Sequence, residues 1–202
     1  MRIPKLVATA LVLGALLAAG AVSAQPQPAD GPPTALVIID IQEFYFPGGA
    51  LPLVGPEAAA GNAGLLLARF REQGLPVFHV GHNAQAGKDF HVDVAPLEGE
   101  DVVFKNEVNA FQDTDLLDRL QHRGILRVVL CGMQTHMCLE GAARAAADYG
   151  FEVVVVGDAC ATRDLKYGET VVPAAAVHAS TLATLDRVYG RVIDTQAALA
   201  EF

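Results

Sequence analysis

Three side chains in this sequence have the types and spacing for nucleophilic chemistry. Asp40 ends Leu36-Val-Ile-Ile-Asp40, Lys105 ends Val102-Val-Phe-Lys105, and Cys138 ends Gly132-Met-Gln-Thr-His-Met-Cys138. A thiol is only a few per cent thiolate at neutral pH, so it attacks efficiently when a base takes its proton or a positive neighbour stabilises its charge. Asp40 offers the base and Lys105 the charge. Cys138 follows an apolar strand and a glycine and precedes an alanine-rich run. It is therefore expected at a helix N-terminus, where the dipole favours thiolate and backbone N–H groups suit an oxyanion. Together these parts suffice for acyl transfer to sulfur. Taken singly, each has a plainer explanation: a turn cap for Asp40, a solvated strand end for Lys105, a core thiol for Cys138.

The elements that must position them follow from the hydrophobic pattern. Residues 35–40 form a continuous β-branched run ending in an acid, which predicts a strand buried on both faces. Residues 56–73 read as a helix with proline in its first turn and Gly74 as its stop, and residues 76–80 as a second strand. Residues 81–100 lack a period and read as a long loop over a site. A short strand at 102–105, a helix at 114–122, a strand at 126–131, a helix at 137–149 and a strand at 152–156 come next. A helix at 171–185, with Pro173 in its first turn, and a strand at 188–193 complete the pattern. Such alternation predicts an α/β fold with a mostly parallel, Rossmann-like sheet, helices on both faces and right-handed crossovers. Ligands bind such sheets at the carboxyl ends of the strands, the edge where all three residues fall.

Within the 202 residues, 1–24 read as a cleaved signal peptide: Arg2 and Lys5, then an apolar stretch, then Val22-Ser23-Ala24. Gly14 and Gly20 interrupt a stretch shorter than the roughly 20 apolar residues of a membrane span, which disfavours a retained anchor. Residues 25–34, rich in proline and glutamine, read as a disordered leader, and residues 35–202 as one domain. The expected location is periplasmic or secreted, with no stable membrane insertion after cleavage. Losing Arg2 and Lys5 takes the formal charge from −9 to −11, which disfavours nucleic acid and anionic lipid as partners and leaves a small-molecule substrate. Three cysteines in an oxidising compartment leave at least one unpaired; Cys131 and Cys160 could pair or simply be buried. The Cys131-x6-Cys138 spacing is neither a redox motif nor a structural zinc site.

The three motifs, with Asn109-Ala-Phe111 and Gly157-Asp158-Ala159-Cys160-Ala161-Thr162, resemble the isochorismatase-like cysteine hydrolases over residues 35–197. The resemblance implies a three-layer α/β/α sandwich, no cofactor, a homo-oligomer, and hydrolysis of the C–N bond of a small amide, ureide or carbamoyl compound through a thioester. It assigns Cys138 as nucleophile, Asp40 as general base and later proton donor, and Lys105 as the electrostatic partner of both. It also implies a cis peptide between Met133 and Gln134, with the Gln134 and Cys138 N–H groups as oxyanion donors. Two other outcomes are compatible with it: vinyl ether hydrolysis, as in isochorismatase proper, and a binding protein that has lost its chemistry. Members that hydrolyse nicotinamide hold a metal through Asp-x-His and a further histidine. His79-Val-Gly-His82 has no acid two residues before His79, and strand positions three apart face opposite sides. These read as satisfied or pocket-edge histidines, with no metal site expected. Gln42, Phe46, Phe111, His136 and His178 are the expected pocket lining.

Overall fold

The computed structural model describes residues 31–202; the expected signal peptide and most of the leader lie outside the described residues. The elements are β1 (Thr34–Ile39), α1 (Pro56–Glu72), β2 (Val77–His82), β3 (Asp101–Lys105), α2 (Leu116–His122), β4 (Arg127–Met133), α3 (Glu140–Asp148), β5 (Glu152–Ala161), β6 (Leu165–Tyr167), β7 (Thr170–Val172), α4 (Ala174–Leu185), β8 (Arg191–Ile193) and α5 (Thr195–Glu201).

Among the described residues six strands form one parallel sheet, in the order β3-β2-β1-β4-β5-β8. β1 is buried at every position, as a β-branched run flanked by strands on both sides and helices on both faces must be. Its residues alternate between two cores. Leu36 and Ile38 pack with α1 and α5, whereas Ala35, Val37 and Ile39 pack with α2, α3 and α4. The result is the three-layer α/β/α sandwich.

Local signals set the helix ends. α1 has proline at its start, buries Ala59, Ala63, Leu66 and Phe70 at helical spacing, and stops before Gly74, whose φ is 65°. The Leu75 N–H then returns to the Phe70 carbonyl at 2.8 Å. Each large side chain buried this way contributes roughly 1.5–3 kcal/mol. β4 passes so close to β1 that a Cβ on Gly132 would lie 1.9 Å from the Ile39 carbonyl oxygen. That approach sets the ends of β1 and β4 side by side.

Several expectations are corrected. β5 does not stop at residue 156 but runs on to Ala161. Gly157-Asp158 looks like a turn signal, yet Gly157 allows close packing, since a Cβ there would lie 2.9 Å from Leu182 Cδ1. Asp158 ties the layers together: its Oδ1 accepts from the Thr195 N–H and hydroxyl at 2.8 and 2.7 Å, and its carbonyl from Asn62. Pro173 precedes α4 rather than entering it, because Thr170–Val172 pairs with Leu165–Tyr167 as an antiparallel hairpin. The helix placed at 137–149 begins instead as a π turn, Thr135–Leu139, and becomes α-helical only from Glu140. α5 was not legible from its few apolar residues; Asp194 caps it by accepting from the Ala197 N–H at 2.7 Å. The loop after β2 contains a short 3-10 turn, Val92–Val94.

Cys131, Cys138 and Cys160 are all free thiols. Cys131 packs in the α1-side core and Cys160 in the opposite one, so the sheet separates the two that could have paired.

Candidate active site

The carboxyl ends of β1, β3 and β4 bring Asp40, Lys105 and Cys138 into contact. Asp40 leaves β1 with φ 51°, a left-handed conformation that a short polar residue tolerates better than most. Its N–H is held by the Val80 carbonyl at 2.8 Å and its carbonyl accepts from the Gln42 N–H at 2.9 Å. Lys105 Nζ donates to Asp40 Oδ2 at 2.8 Å and to Cys138 Sγ at 3.3 Å. The Lys105 and Asp40 side chains are wholly excluded from solvent and Cys138 is 5% exposed. Among the described residues Asp40 Oδ1 has no hydrogen-bond partner, so the carboxylate keeps a free acceptor in a buried site.

Burial dominates the electrostatics of the site. Burial pushes the Asp40 pKa up, against the pull of the Lys105 ammonium. Burial pushes the Cys138 thiol up to about 12, the Asp40 charge adds to the rise, and Lys105 opposes it. The direction is opposite to that of a helix N-terminus acting alone. The reason is positional: Cys138 lies late in the π turn, deep beside a carboxylate, rather than in the first turn of a long helix.

The Met133–Gln134 peptide is cis. Beyond it Gln134 joins a polar rim: its Nε2 donates to the Tyr45 hydroxyl at 3.4 Å and its Oε1 accepts from Arg163 Nε at 3.1 Å. Burial raises the Tyr45 hydroxyl pKa; the Gln134 bond opposes this, and the charges of Asp40 and Cys138 add to it. His136 Nδ1 lies 2.6 Å from Thr162 Oγ1, and burial, then the Arg163 charge, lower its pKa. His178 Nδ1 lies 3.0 Å from Thr135 Oγ1, and burial lowers its pKa too. His178 also lines a cavity of about 190 Å³ with Val54, Cys160, Thr162 and Ala174.

Of the five expected pocket residues, His136 and His178 stand on this rim, and Gln42, Phe46 and Phe111 have partners of other kinds. Gln42 is fully buried with its amide committed to backbone: it accepts from the His82 N–H at 2.7 Å and donates to the His82 and Lys88 carbonyls. Phe46 stacks on His91, ring centroids 4.0 Å apart, within the α1-side core. Phe111 packs against Tyr149 and Phe151 at the far end of α3.

Tyr45 and Arg163 carry no signal of their own in the sequence, whereas His82 stands at the pocket edge, one of the two places expected for it. His82 Nδ1 is 3.3 Å from Lys105 Nζ, whereas His79, wholly buried, bonds Glu100 at 2.9 Å. The two histidines face different neighbours, as strand alternation requires. Carrying β5 to Ala161 would have placed Arg163 at the carboxyl edge.

Residues 34–197 match the family described as Isochorismatase domain. The chain is 44% identical to the isochorismatase family protein YddQ of Bacillus subtilis, over 82% of this chain and 98% of that protein. It is 31% identical to maleamate amidohydrolase of Pseudomonas putida, over 83% and 85% of the two chains. A crystal structure from Oleispira antarctica assigned as an isochorismatase hydrolase aligns with a TM-score of 0.81 and 42% identity, covering 86% of this chain and 99% of that one.

Proposed function

The chain belongs to the isochorismatase family of hydrolases, and on that footing we propose that it cleaves the C–N bond of a small carboxylated amide through a thioester on Cys138. The observation that carries this reading is the shared ammonium: Lys105 Nζ bonds both the carboxylate of Asp40 and the sulfur of Cys138.

The steps follow from those contacts. Asp40 takes the thiol proton as sulfur attacks the amide carbon, and Lys105 holds both the departing proton's acceptor and the growing charge on sulfur. The oxyanion falls to the backbone N–H groups of Gln134 and Cys138. Asp40 returns the proton to nitrogen, the C–N bond breaks, and ammonia or an amine leaves. Water then attacks the thioester and gives its proton to Asp40; the C–S bond breaks and that proton returns to sulfur. A thiol whose pKa burial raises suits this sequence, since proton removal is coupled to attack.

Arg163 supports the carboxylated class. It is bonded to Gln134 through Nε, and among the described residues it forms no ion pair with an acid. A guanidinium so placed matches a carboxylate in shape and charge. The similarity to maleamate amidohydrolase agrees, because maleamate joins a primary amide to a carboxylate. Ammonia release from maleamate and from uncharged crotonamide tests the proposal. The charged substrate should be favoured in kcat/KM by about tenfold or more; ammonia from neither these nor a wider panel of amides and ureides would refute it. The basic, apolar and small-residue pattern of residues 1–24 supports placing this activity outside the cytoplasm, in which case the mature protein should begin at Gln25.

A further inference from the structure

The Lys105 ammonium has three N–H bonds and no lone pair, so it can only donate. Its three neighbours number three acceptors: Asp40 Oδ2 at 2.8 Å, Cys138 Sγ at 3.3 Å and His82 Nδ1 at 3.3 Å. The first two belong to the chemistry already described. The third does not: with Lys105 as the donor, the His82 ring accepts at Nδ1 and the other ring nitrogen, Nε2, carries the N–H. We propose that His82 is a positioning residue: it takes up the third proton of Lys105 so that the other two stay aimed at Asp40 and Cys138.

The support behind His82 fits that role. Gln42 grips its backbone from both sides, accepting from its N–H at 2.7 Å and donating to its carbonyl at 3.1 Å, and the same amide reaches the Lys88 carbonyl at 2.5 Å. In the sheet, His82 lies directly beside Lys105 in the β2–β3 register. Gln42 therefore fixes His82, His82 orients the ammonium, and the ammonium serves the carboxylate and the thiol. Lys105 is 1% exposed, so water is poorly placed to replace the lost acceptor. Without Nδ1 the ammonium would turn toward another acceptor, and its hold on sulfur would weaken.

The inference rests on Cys138 as the group served, but its test needs no substrate. The rate of Cys138 alkylation by iodoacetamide at pH 7.5, followed by peptide mass spectrometry, reports the thiolate that Lys105 stabilises. His82→Leu removes the acceptor and should slow alkylation about tenfold. His82→Asn puts an amide oxygen near the place of Nδ1 and should restore the rate to within about threefold of wild type. Cys131 and Cys160 in the same samples report folding: both should stay slow, and if the leucine variant exposes them, His82→Ala takes its place. Wild-type alkylation in the variant without an acceptor, or an asparagine variant as slow as that one, would overturn the inference. Because amide turnover is not measured, such a result is distinguishable from failure of the amidase reading.

Discussion

Lys105 Nζ sits 2.8 Å from Asp40 Oδ2 with neither side chain exposed to solvent. A buried pair of this kind is costly to break from one side, because the remaining charge is left without compensation. Lys105→Met should therefore destabilise the fold by about 3–5 kcal/mol. The double variant Asp40→Asn/Lys105→Met should be more stable than the single one, since no charge is stranded and asparagine tolerates the left-handed backbone at position 40. Urea denaturation checks the order; equal losses would contradict it. Asp40→Asn alone should reduce turnover by about 10²- to 10⁴-fold.

Arg163→Leu should raise KM for maleamate about tenfold or more while leaving any activity on uncharged amides within a factor of three. Steady-state kinetics on both substrates decide this. A parallel loss on both would mean that Arg163 acts through Gln134 rather than on a carboxylate.

Glu100 clamps the loop after β2, accepting from Nε and Nη2 along one guanidinium edge of Arg71, bonding His79 Nε2 and accepting from the Leu97 N–H. Burial raises its pKa, but those bonds together win and hold it at about 2, below the ordinary 4.5. A depressed carboxylate pKa gives stability that is complete above 4.5 and lost as pH falls toward 2. His79, lowered from 6.5 chiefly by burial against the opposing Glu100 bond, acts with the same sign: its contribution is lost as pH falls below 6.5. The melting temperature should fall on acidification in both windows. Glu100→Gln should flatten the lower window and cost about 2 kcal/mol at pH 7; an unchanged acid profile would remove the clamp from the account.

Gly132 combines φ 129° with the contact to Ile39. Gly132→Ala should cost about 3 kcal/mol, as overpacking against backbone that cannot yield. Chemical denaturation measures it, and a loss below 1 kcal/mol would show that β1 and β4 separate more easily than their register implies.

Much of this arrangement was legible from pattern. A β-branched run ending in Asp40, a short strand ending in Lys105 and a glycine before the Cys138 turn are local signals, and parallel topology converts them into one edge. What pattern could not supply depends on side-chain partners. Gln42 reads as a polar pocket residue until both ends of its amide are seen on backbone. Phe111 follows a promising Asn-Ala and packs against Tyr149, a contact that no local pattern announces. The upward push on the thiol was not legible because a helix start can be read from sequence, whereas depth beside a carboxylate cannot. Arg163 was hidden for a simpler reason: β5 was expected to stop at residue 156, well short of its end at Ala161.

The central claim is that Cys138 carries the acyl group during amide hydrolysis. Its most direct test is intact-protein mass spectrometry of acid-quenched turnover with maleamate, with peptide mapping and the Cys138→Ala variant run alongside. The account predicts an acyl adduct on Cys138 in the wild type, and a folded variant with neither adduct nor ammonia release. Turnover by Cys138→Ala at the wild-type rate would contradict it.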